Sequence, residues 1–306
     1  MKLGFASAIL PEYTFEELIE YAGRIKMNCV EVACWPAGRA ERRYAGVTHI
    51  DAASLDKAGA EKILASLYRN HVSISAIGYY PNPLVPDQEQ RALFAGHIRK
   101  CIQAASLLGV NQMNTFIGKN HTAPLSENMS EFKKVWPDII RFAEDSGVKI
   151  GIENCPMFFT MDEWPGGKNL ATTPAIWEEM FSLIDSECFG LNYDPSHLVW
   201  QRMDYIRPIY DFADKIFHFH IKDVAFYREK YEKCGPYAPP LAFHAPKLPG
   251  LGDIDWGRTI SALYDIKYDQ CAVIEIEDRA FEGSLEQKLK SIELSQRYMQ
   301  NFICQG

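Results

Sequence analysis

Apolar residues in this chain fall into short dense runs, separated by longer stretches in which they recur every three or four positions. The runs at 2–8, 29–35, 72–78, 112–116, 149–153, 190–194, 216–222 and 272–277 read as eight strands. Several are almost continuously apolar, as expected of strands covered on both faces. The stretches between them carry helix signals. Thr14 and Glu17 have capping-box spacing ahead of Leu18, Ile19 and Ala22. The span 56–70 sets Ala60, Ile63, Leu64 and Leu67 on one face, 87–108 stops at Gly109, and 131–145 stops at Ser146-Gly147. Thr173-Pro174 predicts an N-cap and a first-turn proline before Ile176, Met180 and Phe181. Helices are also expected over 256–266 and 285–300, with a weaker one over 203–213, where Pro208 interrupts the pattern.

Eight strands alternating with helices predict a parallel sheet, and eight is the number that closes an α/β (β/α)8 TIM barrel, here one domain over 1–306. An open doubly wound sheet is the alternative. The turn after its first strand would be Ala8-Ile9-Leu10-Pro11-Glu12, which lacks the glycines that cradle a dinucleotide. Two connections are long. One, 154–169, carries Met161-Asp162-Glu163-Trp164. The other, 223–255, offers Tyr227, Tyr231, Tyr237, Phe243 and His244 to fold over a site.

Composition narrows the partners. A chain that is 47% hydrophobic and 24% charged is globular, and at 306 residues it buries a core that needs no disulfide or structural metal. A net charge of −8 argues against a phosphate-backbone partner, and the one basic stretch, 38–43, reads as a solvated loop. The eight cysteines form no CxxC, and Cys29, Cys34, Cys188 and Cys271 lie in or beside apolar runs. With no signal peptide and no membrane span at its start, the expected setting is the reducing cytoplasm. Exposed barrel helices leave homo-oligomerisation open.

Chemistry in such barrels sits at the carboxyl ends of the strands. There the fifth strand ends in Gly151-Ile152-Glu153-Asn154 and the sixth in Asn192-Tyr193-Asp194-Pro195-Ser196-His197. The seventh reads Phe217-His218-Phe219-His220-Ile221-Lys222-Asp223, and the eighth ends in Ile274-Glu275-Ile276-Glu277-Asp278. Each residue alone has a plain structural reading: a solvated rim Glu, a core His, a turn Asp before Pro. Three carboxylates and an imidazole at one mouth would repel and resist desolvation without a cation. The set suits one divalent ion, Mn2+, Co2+ or Mg2+, with Zn2+ also compatible.

These strand ends, together with Pro249-Gly250-Leu251-Gly252-Asp253-Ile254-Asp255-Trp256, resemble the xylose isomerase-like superfamily. Within it they look like the sugar phosphate isomerase/epimerase group, with its ketose 3-epimerases and inosose-processing enzymes. The resemblance implies that Glu153, Asp194, His220 and Glu275 are metal ligands, that His197 contacts a substrate oxygen, and that His218 supports the site from below. Two positions depart from the ketose 3-epimerases: Phe159 stands where they have a Glu and Phe226 where they have an Arg.

The implied substrate is a small carbohydrate, a ketose or cyclitol. Its proton would be abstracted and returned by Glu153 and Glu275 through a metal-stabilised enediolate. Lys222, Asp223 and Trp164 are further candidates for substrate contact, and Trp35, Tyr79, Tyr80 and Phe159 supply aromatic faces near the strand ends. A dehydratase or lyase acting on a keto-sugar or inosose shares the first half of this mechanism. More remote are an abasic-site endonuclease, which needs histidines that the third and fourth strand ends lack, and a sugar-binding barrel without catalysis. Gly250 and Gly252 are either a phosphate loop or a tight turn into the helix at Trp256.

Overall fold

The computed structural model describes residues 1–36, 44–158 and 167–303. The basic stretch 38–43, Phe159 and Trp164 lie outside them. Eight parallel strands close a barrel: β1 (Lys2–Ala6), β2 (Cys29–Ala33), β3 (Ser73–Gly78), β4 (Gln112–Thr115), β5 (Lys149–Glu153), β6 (Phe189–Tyr193), β7 (Ile216–Ile221) and, after an inserted ribbon of β8 (Asp223–Phe226) and β9 (His244–Lys247), β10 (Cys271–Ile274). Around the barrel the order is β1-β10-β7-β6-β5-β4-β3-β2. All eight expected strands are therefore present. Three end two or three residues early: after Ala6 the chain turns into a 3-10 helix, Ser7–Ile9, after Ala33 Cys34 bridges antiparallel to Thr48, and β10 stops at Ile274 rather than 277.

The helices are α1 (Phe15–Arg24), α2 (Lys57–Asn70), α3 (Gln88–Leu107), α4 (Leu125–Asp145), α5 (Pro174–Leu183), α6 (Ser196–Val199), α7 (Arg207–Asp211), α8 (Arg228–Cys234), α9 (Trp256–Asp265) and α10 (Leu285–Met299). The Thr14/Glu17 capping box forms in both directions at α1. Gly109 and Gly147, at φ +67° each, take the left-handed turns that follow α3 and α4. Four expectations are corrected. Leu64 is 42% exposed, so the buried face of α2 is narrower, built on Ala60 and Leu67. Helix α4 begins at Leu125, well before 131, because Pro124 starts it and the buried Asn128 side chain donates to Asn120, Ala123 and Pro124 carbonyls. Thr173 occupies the N-cap position of α5 but its side chain makes no capping bond. Pro208 starts α7 rather than interrupting a longer helix, consistent with its fitness for a first turn.

Three fully buried tryptophans join the outer layer to the barrel mouth. Each indole N–H donates to a segment that follows a strand: Trp136 to the Ile117 carbonyl (3.0 Å), Trp177 to the Ala171 carbonyl (2.9 Å) and Trp256 to Asp223 Oδ2 (2.9 Å). Core packing thus fixes the loops that carry polar side chains. The expected loop 223–255 contains the antiparallel β8–β9 ribbon and α8, where Phe226, Tyr231 and Phe243 cluster at ring separations of 5.1–5.8 Å. Tyr237 stays 90% exposed and covers nothing.

Candidate metal centre at the barrel mouth

Below the mouth the barrel interior is polar. Glu31 points inward from β2, where the pairing with β3 slips by one residue between Val30 and Glu31. Its carboxylate accepts from Tyr80 Oη (2.5 Å) and Asn114 Nδ2 (2.8 Å) and lies 2.9 Å from His220 Nε2. His218, one inward position deeper on β7, meets Asn192 Oδ1 at 2.9 Å and Ser75 Oγ at 3.1 Å, and burial pushes its pKa down to about 3. It is a neutral, hydrogen-bonded core histidine.

Above this layer the expected residues converge. One ligand atom each from Glu153, Asp194, His220 and Glu275 lies within 4.8 Å of the others. His220 Nδ1 faces Glu275 Oε2 at 3.3 Å and Glu153 Oε1 at 3.9 Å. The ends of β5 and β6 are clamped together: Asp194 N donates to Asn154 Oδ1 and Asn154 Nδ2 donates to the Asp194 carbonyl, both at 2.8 Å. Ser196 N binds Asp194 Oδ1 (2.8 Å), which leaves Oδ2 turned to the centre. His197 stands over the same centre, its Nε2 3.2 Å from Asp194 Oδ2 and 3.4 Å from Glu153 Oε1.

Three buried atoms at this centre, Asp194 Oδ2, His197 Nε2 and His220 Nδ1, make no hydrogen bond of good geometry, although Asp194 Oδ2 has the Lys222 ammonium at 2.9 Å. Buried polar atoms converging on one point, within a donor set of three carboxylates and an imidazole, fit a divalent cation. The electrostatics agree. Burial alone favours a neutral His220, but Glu31 and Glu275 outweigh it and hold the pKa well above the usual value; this negative potential is one that a bound cation would satisfy in place of a proton on Nδ1. Burial, followed by the Glu153 charge, raises the Glu275 pKa against the pull of Lys222.

The neighbouring candidates sort differently. Lys222 lies inside the carboxylate cluster. Asp223 is consumed by structure: it accepts from Gly250 N, Val224 N, Ile254 N and the Trp256 indole. Gly252 packs so closely on it that a Cβ would sit 2.2 Å from Asp223 Oδ1. The glycine motif at 249–256 is therefore a tight turn around Asp223, not a phosphate loop. Tyr79 is buried against Trp35 and His97, whereas Trp35 and Tyr80 line a cleft with Glu153, His220, Lys222 and Glu275. Sequence reasoning missed Glu31, Asn114 and Asn192. The available signal was polarity inside otherwise buried strands, Glu31 within Cys-Val-Glu-Val-Ala above all.

A closed parallel barrel with such donors at its carboxyl-end mouth defines a TIM-barrel protein with a candidate metal centre. The xylose isomerase-like TIM barrel family matches residues 19–301, and the chain belongs to that family. Over 130 residues it is 28% identical to an inosose dehydratase of Clostridium perfringens, a match that spans 41% of this chain and 43% of that relative. Among solved structures, D-psicose 3-epimerase from Clostridium cellulolyticum H10, crystallised with D-tagatose, superposes with a TM-score of 0.71 at 15% identity, covering 99% of both chains. The IolI protein with a bound zinc atom gives 0.71 at 17% identity over the whole of both. These two likenesses speak for the fold alone. Among the described residues no helix is long and apolar enough to cross a membrane.

Proposed function

We propose that this protein is a divalent-metal-dependent isomerase or epimerase of a small ketose or cyclitol. The observation that carries the reading is the convergence of Glu153, Asp194, His220 and Glu275 within 4.8 Å, at one end of a cleft with Trp35 and Tyr80 in its wall. Mn2+ leads among the ions, ahead of Co2+, Mg2+ and Zn2+, because the donors are mostly hard oxygens. Held by those four side chains, such an ion would supply Lewis acidity toward a substrate carbonyl and its neighbouring hydroxyl.

The protein's own groups do the rest. Glu153 on β5 and Glu275 beyond β10 stand three strands apart around the barrel, so they flank a substrate from two sides. One removes the proton from the carbon bearing the hydroxyl, and the other returns it on the opposite face. His197 donates from Nε2 to an oxygen that gains charge. Trp35 and Tyr80 pack against C–H faces, and Trp164 is proposed to do the same from the loop after β5.

A second reading, dehydration of a keto-sugar or inosose, is favoured by the match to inosose dehydratase. It uses the same first proton transfer. The test is turnover of a panel of ketoses and inososes by metal-loaded protein in D2O. Deuterium in an isomer of unchanged formula supports epimerisation; a product lighter by one water supports dehydration. No turnover or exchange with any member overturns both.

A further inference from the structure

The carboxylate cluster already contains a cation. Lys222, 2% exposed, places Nζ 2.8 Å from Glu275 Oε2, 2.9 Å from Asp194 Oδ2, 3.4 Å from Glu277 Oε2 and 3.6 Å from Glu153 Oε1. Three of these four carboxylates belong to the proposed metal ligands. The atoms coincide as well: Glu275 Oε2 and Glu153 Oε1 are the oxygens that face His220 Nδ1, and Asp194 Oδ2 is the oxygen that faces His197 Nε2. A lysine that served only to hold a substrate would extend past this ring of oxygens into the cleft. This one turns into it.

We propose that Lys222 is an internal counter-ion that shares the carboxylate nest with the divalent metal and thereby sets the metal's affinity. Glu277, the outermost of the four carboxylates, keeps the ammonium when the nest is loaded. The inference rests on the proposed metal site and adds a competitor to it. The physical argument has two parts with one sign. Without a metal, the ammonium offsets the mutual repulsion of three closely packed carboxylates, so removing it raises the energy of the unloaded nest. With a metal, the ammonium and the dication repel at close range in a water-poor site, so removing it lowers the energy of the loaded nest. Both changes tighten metal binding. The presence of the ammonium thus makes the site exchangeable rather than permanently filled, because a cation is always at hand to replace the one that leaves.

The experiment is calorimetric titration of Mn2+ into wild type, Lys222→Met and Lys222→Gln. Methionine keeps the length of the stem, and glutamine keeps a donor for the carboxylates and guards against a variant that fails to fold. Binding at least tenfold tighter in a folded variant is expected, with a melting temperature below wild type before Mn2+ is added. Unchanged or weaker binding in a folded variant, alongside clear binding by wild type, overturns the inference and leaves the metal reading standing. If both variants fold only when Mn2+ is present, the competition is supported. If neither folds with Mn2+, Glu277→Gln decides. With the outer carboxylate gone, the ammonium is confined to the nest and Mn2+ binding should weaken severalfold, whereas unchanged or tighter binding overturns the inference. If wild type and every variant bind no Mn2+, Co2+ or Zn2+, the metal reading fails and the inference with it.

Discussion

Glu31 Oε2 lies 2.9 Å from His220 Nε2, inside the barrel and out of contact with solvent. Asn192 Nδ2 is also near this ring nitrogen, at 3.0 Å, but only the carboxylate can accept from a protonated Nε2. With the proton there, the Nδ1 lone pair turns to the cluster of Glu153, Asp194 and Glu275. A carboxylate behind a histidine is the usual device for fixing the ring and raising its basicity toward a metal.

Glu31→Gln tests this device. The substitution keeps the shape but turns one acceptor into a donor, in a pocket where Tyr80, Asn114 and His220 all donate. Mn2+ affinity should fall by about 10- to 100-fold. Stability should drop by about 1–3 kcal/mol through the unpaired donor. Titration calorimetry and urea melts read the two effects separately, and an unaltered Mn2+ affinity would remove Glu31 from the metal's support.

Glu153→Gln and Glu275→Gln test the proposed proton relay. Each amide preserves volume and cannot take a proton. Solvent-deuterium incorporation into a turned-over ketose should vanish in both, with rates down by about 10²–10⁴-fold. Because both residues also belong to the metal nest, Mn2+ content must be measured beside the rate. Full activity in either variant refutes the pairing.

The strands and the four converging residues were legible because both depend on local order. Period-two and near-continuous apolar runs mark barrel strands, and polar residues at strand ends fall on one rim once eight strands close. Glu31 was not legible, because a charge inside an apolar strand declares its direction only through register, and here the register slips between Val30 and Glu31. The β8–β9 ribbon was hidden in a stretch rich in proline and glycine, since its pairing of Asp223 with Lys247 is set by tertiary contacts and not by alternation. Asp223 looked like a substrate contact from its place after His220, yet the four donors that occupy it come from the next residue and a turn some thirty residues away.

Removing metal should be visible in stability alone. A ligand that binds only the folded state at 100 times its Kd adds about 2.7 kcal/mol. Dialysis against a chelator should therefore lower the melting temperature by several degrees, and Mn2+ should restore it while Ca2+, which prefers more oxygen ligands, should restore less. The measurement is differential scanning fluorimetry across a metal series. A melting temperature indifferent to chelator and to every divalent ion would count against a metal held in the core of the mouth.

Acid should loosen the inserted ribbon through His244. Its ring stacks on Trp200 (centroids 5.0 Å apart, planes at 12°), Nδ1 meets the Pro240 carbonyl at 2.6 Å, and burial lowers its pKa to about 4. The folded state therefore holds this ring neutral below the pH at which the unfolded chain protonates it. Between the unfolded value near 6.5 and the folded value, the unfolded chain binds the extra proton. The contribution of His244 is complete above about pH 6.5 and is lost as pH falls toward 4, by at most about 1.4 kcal/mol per unit. His244→Phe keeps the aromatic stack and removes the titration. The stability difference between wild type and variant, from urea melts at pH 7.5, 6, 5 and 4.5, should shift in favour of the variant as pH falls. Besides burial, the charges of His197 and Lys222 push the His244 pKa down while the Pro240 carbonyl and Glu277 push it up; His218, which does not act on this ring, cancels in the difference. A gap that stays constant with pH would show that His244 is not held neutral by the fold.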